Sequence, residues 1–247
     1  MRKSVVSLAL AAASAAPGIA AAQSTPPAPS PVTGNIALVS DYRFRGLTQT
    51  FEEPALQGGF DYAHSSGFYL GNWNSSISDT FYAGSPLEMD FYAGYKPTFG
   101  DITGDVGILY YYYPGSNAPG IGKIDNTEVY VGAAWKWLSA KYFYAVSDFF
   151  GVPDTDGSNY IDLTANFTFG AGWGLVGHFG RQKVKNISAA DYKDYKIGIT
   201  KDIRGWVFGA AWVDTDAEDA AYTFTSGGGK TMNVGDSTVV FSVSKTF

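Results

Sequence analysis

The chain has 247 residues, among them 30 Gly, 17 Tyr and 17 Phe and no Cys, with a formal net charge of -6. Without cysteine there is neither a disulfide framework nor a thiolate metal site, and the acidic balance argues against nucleic acid as a partner. Mean hydropathy is -0.06. No stretch past the N-terminus approaches the ~18 consecutive apolar residues of a spanning helix; a β-barrel stays open, because alternating strands average to near-neutral hydropathy.

Arg2 and Lys3 precede an apolar run from Val5 to Ala16 and then Ala20, Ala21 and Ala22 before Gln23. This is the pattern of a cleaved secretory signal, predicted over residues 1–22. Its removal leaves 15 basic against 23 acidic side chains, since only Arg2 and Lys3 of the 17 basic residues lie within it. Residues 23–33, with Pro26, Pro27, Pro29 and Pro31, read as an extended leader that cannot enter a sheet interior.

From Gly34 to the end the hydrophobic period is two. A first strand, over 35–45, sets Ile36, Leu38, Tyr42 and Phe44 on one face and Asn35, Asp41, Arg43 and Arg45 on the other. The second, 56–62, sets Leu56, Phe60 and Tyr62 against Gln57, Gly59 and Asp61. The third, 68–76, is ambiguous in facing, with Tyr69 and Trp73 against Phe68 and Leu70. In the fourth, Leu87, Met89, Phe91, Ala93 and Tyr95 alternate with Glu88, Asp90, Tyr92, Gly94 and Lys96. The fifth, 105–113, ends in Tyr110, Tyr111, Tyr112 and Tyr113, a block suited to an interfacial aromatic girdle or to ordinary sheet packing. Further strands follow over 127–135, 138–146, 161–169, 173–182, 194–201 and 206–213. The last, Thr238 to Phe247, sets Val239, Phe241, Val243 and Phe247 against Thr238, Ser242, Ser244 and Thr246.

The connections add independent information. Those around 46–53, 76–86, 114–125, 148–159, 183–191 and 214–235 are long, whereas 65–67, 97–100, 136–137, 170–172 and 202–205 between them are short. A secreted sandwich has no reason to alternate loop length by parity, but an outer-membrane barrel pairs short periplasmic turns with long outer loops. The sequence therefore predicts an all-β fold: a transmembrane antiparallel up-and-down barrel of about 12 strands over residues 34–247, its last strand pairing with 35–45. About twelve strands enclose a lumen between the filled interior of ~8 and the wide channel of ~16. Inward glycines at 59, 94, 132, 198 and 209 should leave lumen volume.

Residues Asn35 to Thr50, with Gln57 to Tyr62 and Gly67 to Gly71, resemble the TorF porin family of bacterial outer membranes, long catalogued only as conserved hypothetical proteins. Glu88 to Gly94, Tyr110 to Pro114, Glu128 to Tyr130, Ser147 to Gly151 and Gly180 to Gln182 continue the likeness in order across the mature chain. The resemblance implies a barrel with pore activity in the outer membrane of a Gram-negative bacterium, and supplies neither a solute nor a catalytic motif.

Charged side chains cannot face lipid cheaply and must point inward. The expected pore-lining set is Asp41, Arg43, Arg45, Asp61, Glu88, Asp90, Lys96, Asp105, Glu128, Lys141, Asp162, Asp194 and Lys196. Eight are acidic and five basic, so an open lumen should weakly prefer cations; the competing reading is a ladder of paired charges that braces the wall and blocks flow. Arg43 and Arg45, two apart beside Gly46, are the expected constriction. A barrel hydrolase would need a nucleophile and a base, and only His64, at a short turn, and His178, inward at mid-strand, could serve as base. Asp154 and Asp156, and Asp214, Asp216, Glu218 and Asp219, lack the full spacing of a calcium loop and read as solvated outer loops. The expectation is thus a narrow channel for small hydrophilic solutes or ions, with a plugged structural barrel and, behind it, a hydrolase as alternatives. No cofactor or metal is expected, and the expected partners are outer-membrane lipids, those solutes and the barrel-assembly machinery, for which Phe247 is the assembly signal.

Overall fold

The structure, a computed structural model, describes residues 30–247; the predicted signal over 1–22 lies outside the described residues, as does the leader up to residue 29. Twelve strands form the wall: β1 Val32–Val39, β2 Ala55–Ala63, β3 Phe68–Ser76, β4 Leu87–Tyr95, β5 Ile102–Tyr112, β6 Asn126–Trp135, β7 Leu138–Ala145, β8 Asn159–Phe169, β9 Trp173–Lys183, β10 Tyr192–Ile203, β11 Trp206–Thr215 and β12 Thr238–Thr246. Each pairs antiparallel with its neighbours in sequence, and β12 pairs with β1, so the sheet closes on itself without a free edge. Among the described residues no helix is long and apolar enough to cross a membrane; the crossing elements are strands.

The alternation produces two surfaces of opposite character. Leu38, Leu56, Phe60, Val131, Ile197 and Phe241 are exposed on the outside, while Glu88, Asp90, Asp105, Glu128 and Asp194 are buried within. The facing left ambiguous in β3 resolves with Phe68 and Leu70 outside and Trp73 buried inside. Both sets of connections keep the predicted parity, so one rim carries short turns and the other long loops.

Three expectations need correction. The first strand stops at Val39: the chain then turns inward, and Arg43–Phe44 and Leu47–Thr48 pair as a small ribbon inside the barrel. Asp41, Arg43 and Arg45 therefore reach the lumen from an infolded loop and not from the wall, while Tyr42 and Phe44, expected on the outer face, are buried. The ribbon preserves a period of two, which is why the alternation ran on through it. The seam correspondingly pairs β12 with Asn35 to Val39 only, extended by the Ser40 N–H to Phe241 O bond at 2.8 Å. In the Tyr110 to Tyr113 block, Tyr111 and Tyr113 point inward and are buried, so only alternate members face outward.

The third correction concerns the glycines. Gly94 does not leave open volume, because the Tyr69 ring on the opposing strand lies across it, 2.5 Å from where a Cβ would stand. Gly71 under Tyr92 and Gly107 under Tyr130 repeat the arrangement. Each glycine lets a neighbouring phenol lie flat along the wall, carrying the Tyr69 and Tyr92 hydroxyls to Asp105 and Asp61 and the Tyr130 hydroxyl to that of Tyr69.

Candidate functional site

The infolded loop, residues 40–54, caps the lumen on the long-loop side. Gly46 stands at its tip with φ +85°, and a Cβ there would come within 2.5 Å of Thr215 Cγ2 and 2.7 Å of Asp194 Cβ, so the turn presses on the wall as only glycine can. Arg43 fastens the loop to the neighbouring outer loop: it donates to Asp41 at 2.5 Å, to Asp236 O at 2.8 Å and to Val234 O at 3.2 Å. Arg45 fastens it to the wall, donating to Glu128 at 2.6 Å and to Gln182 at 2.8 Å. Its guanidinium carbon lies 4.3 Å from the Tyr160 ring centre and 4.8 Å from that of Phe44. Backbone bonds from Thr48 N to Val234 O and from Ser78 N to Gln49 O, at 2.8 and 2.9 Å, complete the attachment.

Around this plug the outer half of the lumen is packed. Tyr42, Trp73, Tyr82, Tyr92, Leu109, Tyr111 and Tyr113 belong to one buried apolar cluster, with Leu47, Phe51, Tyr192 and Val234 in a second. Tyrosine hydroxyls cap the buried carboxylates: Tyr42 and Tyr113 donate to Glu88 at 2.6 and 2.9 Å, and Tyr111 to Glu128 at 3.1 Å. Nearer the short-turn rim, Tyr92 donates to Asp61 at 2.5 Å and Tyr69 to Asp105 at 2.6 Å. Lys141 closes on the other Asp105 oxygen at 2.7 Å.

Below the plug lies a cavity of about 920 Å³, bounded above by residues 41–46 and reaching the short-turn rim at Thr98, Gly100, Asp101 and Lys136. Of the expected pore-lining residues, Asp41, Arg43, Arg45, Lys96, Asp105, Lys141, Asp162, Asp194 and Lys196 line it. Glu88, Asp90 and Glu128 do not; they are sealed beside the plug, and Asp61 faces inward against Tyr92. With Asp101 and Lys136 added, the lining carries five carboxylates and six cations, so the acidic excess counted along the chain lies outside the cavity.

His178 is the centre of a cluster that single-strand periodicity could not reveal, because its partners come from the strands on either side. Its Nε2 lies 2.7 Å from Asp194 Oδ1 and 3.0 Å from the Tyr160 hydroxyl, and its Nδ1 lies 3.0 Å from Thr164 Oγ1 and 3.6 Å from Asp162. Both ring nitrogens are thus engaged. His64 instead closes a short turn, its Nδ1 2.6 Å from Ser66 Oγ. Among the described residues no group of three or more His, Asp or Glu side chains is disposed to hold a metal ion.

A closed twelve-stranded antiparallel barrel with an apolar exterior and a polar lumen has the fold of the outer-membrane porins. It is similar to the structure described as "KdgM porin", with a TM-score of 0.53 at 8% identity over 87% of this chain and 98% of that one, and to "NanC porin", with a TM-score of 0.54 at 10% identity over the same shares. The chain belongs to the family described as "Bacterial protein of unknown function (Gcw_chp)", whose model matches residues 23–247. No curated protein matches it in sequence.

Proposed function

We propose that this chain is an outer-membrane channel for small hydrophilic solutes, with the short turns in the periplasm and the infolded first loop closing its outer mouth. The observation that carries the reading is a closed barrel whose lumen holds a charged, solute-sized cavity open at one rim. The porin fold and the resemblance to the TorF porins support it. A permanently plugged structural barrel is the second reading, favoured by the two arginine anchors of the plug. His178, with both nitrogens bonded to wall residues, reads as a brace, and no enzymatic role is proposed.

Planar-bilayer recording separates the two. The channel reading expects ion-conducting steps from the native protein, and larger ones when residues 42–51 are replaced by a short Gly-Ser turn. Silence from the native protein with steps from the shortened one makes it a plugged barrel; silence from both sinks the channel.

A further inference from the structure

Most lumen charges are closed by short bonds to one another, but two on the β8–β10 side have no charged partner within 3.5 Å. Lys196 lines the cavity and makes no hydrogen bond or ion pair among the described residues, interacting with Asp162 and Asp194 only through space. Asp162 keeps 28% of its side chain exposed, against 3% for Asp194 and 6% for Asp105; its one short bond is from Thr164, at 2.8 Å, with His178 Nδ1 farther off at 3.6 Å. The two stand on either side of β9, whose His178 pairs with Lys196 on one flank and Thr164 on the other. Offset by two residues along the strands as well as by two strand spacings, their backbones are roughly 12 Å apart, and both side chains line the cavity.

One inward row closer to the open rim the character changes. Val176, Gly198, Ala211 and Val240 are consecutive partners across β9, β10, β11 and β12 and form an uncharged shelf. Gly198 keeps the shelf level, since a Cβ there would stand 2.8 Å from that of Ala211 and 3.0 Å from Val176 Cγ1. Lys196 thus sits one inward row above an apolar ledge, and Asp162 two rows above it on the flanking strand β8.

Resting on the channel reading above, we infer that the cavity takes zwitterionic peptides of about two residues carrying an apolar side chain. The peptide carboxylate bonds Lys196, its ammonium bonds Asp162, and the side chain lies on the Val176 to Val240 shelf. Two extended residues separate the termini by roughly 7 Å, which suits charges placed on either side of one strand better than the adjacent charges of a single amino acid. A simple anion would meet Asp162 and Asp194 beside Lys196, and a simple cation would meet Lys196 beside Asp162.

The test is calorimetric titration of the full-length protein in detergent with glycyl-leucine, its N-acetyl and C-amide derivatives, and glycyl-glycine. Removing either terminal charge should weaken binding about tenfold, the value of one charge-assisted hydrogen bond, and glycyl-glycine should bind several-fold more weakly than glycyl-leucine. Lys196→Met should erase the difference between the peptide and its amide, and Asp162→Asn that between the peptide and its N-acetyl form. Val176→Thr, which preserves shape, should narrow the gap to glycyl-glycine, with an unchanged circular-dichroism spectrum certifying the fold of each variant. Equal affinity for all four ligands, or no binding to the native protein, overturns the inference. Conductance without selective binding leaves the channel standing and this inference refuted; selective binding to a silent barrel does the reverse.

Discussion

The lumen wall has two arcs built on different principles. From β2 to β10, carboxylates are held by tyrosine, lysine and histidine side chains from nearby strands, as in Tyr69 to Asp105 to Lys141 and Tyr160 to Asp194 to His178, and by Arg45 of the plug at Glu128. The three strands around the seam carry nothing of the kind. Along β11, β12 and β1 the inward residues are Val207, Gly209, Ala211 and Val213, then Thr238, Val240, Ser242 and Ser244, then Asn35, Ala37 and Val39, without one ionisable group. The braced arc is fixed by side chains; the seam arc depends on its backbone ladder and on the residues that end it. The plug meets the two sides differently: Arg45 bonds side chains of the braced arc, Glu128 of β6 and Gln182 of β9, whereas Arg43 bonds backbone carbonyls of the loop before β12 at Val234 and Asp236.

The most damaging change should therefore fall at the seam's terminus. Phe247 exchanges backbone bonds with Gly34 at 2.8 and 3.2 Å, and Lys245 lies over the rings of Trp206 and Phe247 at 5.0 and 5.3 Å. We propose that Phe247 is also what the assembly machinery reads. Its deletion should sharply lower the yield of folded barrel in outer membranes, while molecules that do fold conduct normally; unchanged yield would contradict this.

Next in size is the anchor between plug and braced arc. Arg45→Ala leaves Glu128 buried without its counter-charge, a loss of about 3–5 kcal/mol for a buried pair. Protection of loop 40–54 from hydrogen exchange should fall steeply while the wall strands stay protected. Uniform protection would mean that Arg43 and the backbone bonds suffice to hold the plug.

A single brace is worth less. Tyr69→Phe removes the hydroxyl bonded to Asp105 and should cost about 1–3 kcal/mol, measured as a shift in the denaturant midpoint. Ser242→Ala in the seam arc should change it by less than about 0.5 kcal/mol. Equal shifts would erase the distinction between the arcs.

The barrel itself was legible in the sequence because every strand repeats the same decision, apolar outward and polar inward, and because loop length alternates with strand parity. What stayed hidden follows from the limits of that signal. Alternation cannot distinguish a wall strand from a ribbon folded within the lumen, so the chain from Asp41 to Arg45 looked continuous with β1. Nor does it fix register between strands, and the pairing of Lys141 with Asp105 or His178 with Asp162 is entirely a matter of register. Gly46, with φ +85°, lay just past the predicted strand end, where a turn was expected in either case.

The same division bears on ion selectivity, the smallest effect expected here. Counting the chain gave eight inward acids against five bases, and hence a weak preference for cations. The structure distributes them unevenly: Glu88, Asp90 and Glu128 are sealed in the outer half, where Arg45 is bonded to Glu128, while the cavity lining is close to balanced. With the plug in place the reversal potential in a salt gradient should lie near zero. Replacing residues 42–51 removes Arg43 and Arg45 and opens three carboxylates to the solute path, so the reversal potential should move clearly toward cation selectivity. Anion selectivity in the plug-replaced variant would show that these carboxylates do not set the field of the open lumen.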